Sequence, residues 1–554
     1  MTSVAHEPAG TEEDRRAAPY RPDEATQARI RRVALIVGVL SAVAMLARLF
    51  LGGTVGMADN YDGHRLTCQL DVAPHPGPAA TSPFEFVTPR FDAHVWYGET
   101  CGAGGQPYLS SQYAALLVSK WLTPVLGFQG ALDLRVLGGV CALLFGLAMG
   151  LLVLALPGRP WLRVLAAGLV AAATLDSTVA LYFVSPLSEP AGILGLLFTV
   201  VTMLRVVRRE RASVLDLLLL TAAALWTVTA KPQMTAVLVA VLPVLLLRGA
   251  RMPWERKETV VPPGRWRGFA SGAVRRLPAL ALAGALVGTT AAYQAAKPAW
   301  FEEMYSYHQV FVEMLPHSPD PRADLRELGL SPALVKHSGT RINTSGLPWS
   351  PEYQVFHDTV DMPRLLSFYA GHPDRWPGMA DRGLKGLVEG RAPYLGNHLE
   401  GSGHPPYAKD CRVCLVSGVF HLAGPLRWVL FPGLWLGSAA LGLWVCFRRR
   451  LGPAARGCGL VLAGVAASTV VQFWGVMLSD GSNDLEKHMV FAWYGTALLP
   501  GLLVIALAAL EQASALNRQG AVPGQPTAGR RRDLSPCSSR PSSAWNTMNS
   551  EKEC

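Results

Sequence analysis

Residues 31–53, RRVALIVGVLSAVAMLARLFLGG, decide the class of the molecule. The apolar run from Val33 to Gly53 has the length of a bilayer crossing, which takes about 20 residues. Arg29, Arg31 and Arg32 stand in front of it, and no small-residue cleavage site follows. The pattern predicts an uncleaved signal anchor with its N-terminus on the cytoplasmic side.

Nine more runs of similar character follow, at about 132–156, 161–181, 190–207, 213–230, 233–248, 277–296, 426–447, 457–478 and 489–510. The expectation is an all-α polytopic membrane protein of about ten transmembrane helices. Composition agrees: 50% of the 554 residues are hydrophobic and only 16% are charged, against about 25% in a soluble domain. A cytosolic enzyme, a disordered chain and a small disulfide scaffold are excluded on these figures.

The net charge of +10 does not point to nucleic acid, because the arginines gather in short segments between apolar runs. With the N-terminus inside, Arg159/Arg163, Arg205–Arg211, Arg248–Arg276, Arg448–Arg450 and Arg530–Arg532 all fall in the cytoplasm, as do both termini. The opposite segments hold most of the acids and every histidine but His6. This is the distribution of a multi-pass protein of the inner or plasma membrane.

The chain therefore divides into a disordered cytoplasmic tail (1–28), a transmembrane core (29–296) with a first exoplasmic loop (54–131), an α-rich exoplasmic segment (297–425), the last transmembrane helices (426–511) and a second disordered tail (512–554). Four cysteines face outward, and Cys68–Cys101 and Cys411–Cys414 are plausible disulfides there. Eight histidines, from His308 to His421, lie in the long outer segment without metal-site spacing. There is no phosphate-binding loop and no dinucleotide fingerprint.

Three short motifs carry chemistry. Ala58-Asp59-Asn60-Tyr61-Asp62-Gly63 follows the first run directly. A carboxylate there can act as a general base on a hydroxyl at headgroup depth; the same residues also make an Asx-turn that closes the helix. Ser188-Glu189-Pro190 opens the fourth run, as a cavity acid or as an ordinary helix start. Asp176, at the outer end of the third, is a functional candidate because an unpaired acid in lipid is costly. Arg135 and Lys231 are cations at the outer ends of spans, able to hold a lipid phosphate or to snorkel to headgroups. Lys297 and the turn Asp480–His488 are weaker instances of the same kind.

In this order and on this common side, the motifs resemble the GT-C superfamily of membrane glycosyltransferases, in particular the hexose transferases of bacterial surface-glycan biosynthesis. The resemblance rests on Ala58–Gly63, Leu134-Arg135-Val136-Leu137, Ser185–Pro190 and Ala230-Lys231-Pro232, and covers roughly residues 30–300. It implies transfer of a hexose from a polyprenyl-phosphate donor to a cell-surface glycan or lipid-linked acceptor on the exoplasmic side. It implies Asp59, or else Asp62, as base or as ligand of a divalent cation. Arg135 and Lys231 are implied near the lipid phosphate, with Asp176 and Glu189 lining the cavity. A transporter or a lipid/glycan flippase, with Asp176 and Glu189 along its path, is the competing expectation; membrane lipids are partners in either case, nucleic acid in neither.

Overall fold

A helix that crosses a membrane must satisfy every backbone group internally, so the apolar runs fold as helices. A computed structural model describes residues 24–58, 62–73, 91–95, 107–209, 212–247, 250–251, 265–399, 401–405 and 407–520. The main helices are α1 (Glu24–Phe50), α2 (Leu134–Ala155), α3 (Pro160–Leu175), α4 (Glu189–Val207), α5 (Val214–Val228), α6 (Leu238–Leu247), α7 (Arg265–Ala295), α8 (Arg427–Phe447), α9 (Pro453–Ser479) and α10 (Val490–Gly520). The unit Pro19–Ala513 holds all of them except the end of α10.

Each of the ten expected runs is helical in its described residues, and most have the length of a span. Among the described residues seven helices are long and apolar enough to cross a membrane, eight if α3 and its continuation Ser177–Phe183 count as one bent span. The bend of 56° has a cause in the sequence. Asp176 turns its carboxylate onto the amide of Thr178 at 2.9 Å, capping a new short helix (Ser177–Ala180) instead of extending α3.

α5 and α6 fall short. At 15 residues, α5 reaches about 22 Å, less than the roughly 30 Å of a hydrocarbon core. Ser213 and Asp216 close its start as a reciprocal capping box, which fixes that end. α6 begins only after a 3-10 stretch, Pro232–Val237.

Small residues let the helices approach. Ala34, Gly38 and Ala42 on α1 face Gly146 and Gly150 on α2; a Cβ on Gly146 would stand 2.6 Å from both the Ala42 Cβ and the Gly38 carbonyl oxygen. Such spacing is the packing device of membrane helices, where burying apolar surface drives nothing.

The first loop carries a helix, Gln112–Val125, which the sequence reading missed, and a small antiparallel sheet of β1 (Val72–Ala73), β2 (Asp92–Val95) and β3 (Leu132–Asp133). The 297–425 segment is α-rich as expected, with helices that include Trp300–His308, Pro321–Glu327, Pro351–Thr359, Met362–Gly371, Trp376–Glu389 and Leu415–Leu422. Cys411 and Cys414 form a disulfide. Cys68 is buried, while its expected partner Cys101 lies outside the described residues.

Candidate active site

Five stretches far apart in sequence meet at one end of the bundle. The chain leaving α1 runs beside the loop before α4: Met57 donates its amide to the Val184 carbonyl at 3.2 Å. At Gly56 the approach is so close that a Cβ would stand 2.1 Å from the Val184 oxygen. Only glycine fits there. Ser110 and Ser111 hold the turn between α5 and α6 through the carbonyls of Ala230 (2.7 Å) and Thr229 (3.0 Å). Gln112 accepts the Ala191 amide at 3.0 Å, which fixes the start of α4. Gln233 donates to the His488 carbonyl at 3.1 Å and so ties in the turn between α9 and α10.

Into this junction project three cations and three acids. The Lys231 Nζ lies 2.7 Å from Glu189 Oε1, and Glu189 is 1% exposed. Lys487, a buried lysine on the α9–α10 turn, forms an ion pair with Asp62. Arg65 approaches Asp62 at 3.3 Å and lies flat over Trp300, 4.3 Å from the ring centroid. Asp480 holds two histidines, with His308 Nδ1 at 2.6 Å and His488 Nε2 at 2.8 Å. Tyr108 lines the same space and hydrogen-bonds Ser188.

The electrostatics follow from these pairs. Burial pushes the Asp62 carboxyl up, but Lys487 and Arg65 outweigh it and hold the group well below the usual carboxylate range. Asp480 is likewise pulled down by His488 and His308 against the effect of burial. Burial alone would lower the Lys487 ammonium; Asp62 and Glu189 raise it instead. In the structure the Asp62 carboxylate stands between two cations, Lys487 and Arg65. Asp59 and its neighbours Asn60 and Tyr61 lie outside the described residues; Ala58 before them is buried.

Of the residues expected from the motifs, Glu189, Lys231 and Asp62 lie in this cluster. The other two candidates sit elsewhere. Arg135 pairs with its own helix cap, Asp133, at 2.6 Å, and lies 5.1 Å from the Phe128 ring. Beyond its cap, Asp176 accepts the amides of Val416 and Ser417, both at 2.9 Å, and the Ser417 hydroxyl at 3.0 Å. Its described bonds fasten helix Leu415–Leu422 to the bundle.

Asp480, Lys487 and His488 lie in the turn that the sequence marked only as a weaker instance, while Arg65, Tyr108 and the role of His308 were not singled out. The signal for Lys487 was present: five of the nine residues from Asp480 to His488 are ionisable, between two apolar runs. Among the described residues no three His, Cys, Asp or Glu side chains are grouped to hold a metal ion.

Residues 22–519 match the family described as the YfdI N-terminal transmembrane domain. The chain belongs to this family. It is a GT-C-like membrane glycosyltransferase family, which accords with the resemblance read from the motifs. No curated protein matches the chain.

A groove of about 1150 Å³ starts beside this cluster, at Gln112, Pro190 and Ala191, and follows α4 toward the opposite end of the bundle. Its walls are largely apolar, with Leu144, Leu194, Phe198 and Trp226 among them.

Proposed function

We propose that this protein is a hexosyltransferase of the cell membrane that takes its sugar from a polyprenyl-phosphate donor and works at the exoplasmic end of a bundle of about ten membrane-inserted helices. The observation that carries the reading is the pairing of Lys231 with Glu189 and of Lys487 with Asp62, next to the segment that leads into Asp59, in a chain of a GT-C-like family.

Each ammonium is held by a single side-chain carboxylate, and a phosphate can take over such a partner without disturbing the backbone. Lys231, Lys487 and Arg65 thus hold the donor phosphate, by charge-assisted hydrogen bonds that are roughly twice as strong as neutral ones. The apolar groove beside Pro190 receives the lipid chain. Arg135 contributes from the rim at most.

Asp59 removes the proton from the acceptor hydroxyl. That oxygen forms the new bond to the anomeric carbon while the bond from this carbon to the phosphate oxygen breaks. The lipid phosphate departs with the electron pair, its charge met by the cations. A single displacement inverts the configuration. Glu189 and Asp62 keep the cations in place before the donor arrives, and Asp176 keeps the surrounding loops in register. The long groove also suits a flippase, but a flippase has no evident need of a base at Asp59.

The test compares Asp59→Asn and Asp62→Asn for glycan transfer in membranes of a strain lacking the gene, at matched protein level. Loss of a general base commonly costs about 10²–10⁴-fold, whereas an Asx-turn accepts Asn almost unchanged. The expected result is loss of transfer by two orders of magnitude or more in Asp59→Asn, with Asp62→Asn retaining more. Normal transfer in both overturns the assignment of a base to this motif.

A further inference from the structure

The groove along α4 has a second charged end. Where it runs out, far from Glu189, its lining includes Arg31 of α1 and Arg205, Arg208 and Arg209 at the end of α4. Arginines at the end of a span are ordinary when they reach for headgroups at the protein surface. These four line one cavity instead. Asp216 engages two of them, at 2.5 Å from Arg205 and 2.7 Å from Arg209, which leaves the cluster strongly cationic. Arg208 also donates to the Leu154 carbonyl at 2.5 Å, so its guanidinium is fixed against the groove wall formed by α2.

One lipid cannot serve both ends. From Pro190 to Arg208 along α4 is about 27 Å at the helical rise of 1.5 Å per residue, nearly the whole hydrocarbon thickness. A donor phosphate at Lys231 therefore leaves the arginine end empty. One leaflet supplies chains of about 15 Å, the distance along α4 from Arg208 to the middle of the groove near Phe198.

We propose that the arginine end of this groove is a binding site for an anionic glycerophospholipid of the adjacent leaflet, with the phosphate on Arg31 and Arg208 and an acyl chain in the near half of the groove. The site stands independently of the transfer reading, because it uses neither Lys231 nor Asp59. Charge complementarity selects the occupant: a headgroup of net negative charge gains from the cluster, while a zwitterionic headgroup brings its own cation into it.

The experiment is native mass spectrometry of the full chain released from nanodiscs of equal phosphatidylglycerol and phosphatidylcholine. Wild type is expected to retain one phosphatidylglycerol at least about ten-fold in preference to phosphatidylcholine. The Arg31→Gln/Arg208→Gln variant should lose most of that preference, and Arg448→Gln/Arg449→Gln, at the same end but outside the groove lining, should keep it. If the first pair yields no monodisperse protein, Arg31→Gln alone, at an exposed position, carries the comparison. Equal retention of the two lipids by wild type overturns the proposal, as does an equal loss in both pairs, which would mean diffuse surface charge. Lipid-linked transfer with saturating donor is expected to continue in the Arg31→Gln variant, so failure here is distinct from failure of the transferase reading.

Discussion

Two buried polar clusters lie at the same end of the bundle and differ in what their charges hold. In one, Asp410 takes Arg48 and the Ser177 hydroxyl (3.1 Å), Arg391 donates to the Asp410 carbonyl at 2.7 Å, and Arg412 reaches the Gly53 carbonyl at 2.9 Å. Asp176 beside them binds three backbone amides. In the other, Glu189, Asp62, Lys231 and Lys487 meet chiefly through their side chains. A bond to backbone cannot be given up without moving the chain. A bond between side chains can be traded for a ligand. The first cluster reads as a fastening of the 390–417 segment, the second as a site.

The largest effect should come from the fastening. Asp410→Ala leaves Arg48 buried without its counter-ion, and breaking a buried pair in this way costs about 3–5 kcal/mol. The expected outcome is a large drop in folded protein, measured as abundance and thermal stability in detergent, irrespective of any substrate. A variant of normal stability would erase the contrast.

Lys487→Gln should behave in the opposite manner. The protein should accumulate, and use of the lipid-linked donor should fall by roughly one to two orders of magnitude, the worth of one charge-assisted hydrogen bond of about 1.5–3 kcal/mol. Steady-state kinetics against donor concentration would check this. A variant with no folded protein but intact specific activity would move Lys487 into the fastening class.

A pH measurement sharpens the same distinction. The Asp62 carboxyl lies below its ordinary value in the folded state because of Lys487 and Arg65. Its stabilising contribution is therefore present above about pH 4, near the unfolded value, and is lost as pH falls toward the folded one. Unfolding midpoints of the wild type should decline below about pH 4, and Lys487→Gln should flatten part of that decline. An unchanged slope would contradict the pairing.

The smallest effect is expected at Arg135. Held by Asp133 at the head of α2, it should tolerate Ala with a change in donor use of no more than about three-fold, since a half-exposed ion pair contributes little. A loss as large as that of Lys487→Gln would return Arg135 to the phosphate site.

The helices were legible because hydrocarbon forces every crossing to advertise itself as a long apolar run. Their ends were not, because Asp176 and the Ser213–Asp216 box end helices by local hydrogen bonds that a hydropathy reading passes over. Glu189 and Lys231 were visible as charges next to prolines at helix starts. That they touch was not visible, at a separation of 42 positions, nor was the partnership of Asp62 with Lys487 at a separation of 425. His308 was hidden among eight outer histidines, and Arg65 follows Asp62 on a four-residue helix too short to carry a periodic signal.

The most direct test of the account is binding of a polyprenyl phosphate, without sugar or acceptor, to the purified full-length protein. Wild type should bind it with an affinity that weakens as salt is raised, and Lys487→Gln, in which Asp62 keeps Arg65, should bind at least about ten-fold more weakly while staying monodisperse, the worth of one charge-assisted bond. Equal affinity in the two proteins would contradict the claim that the Lys487–Asp62 pair opens onto a lipid phosphate.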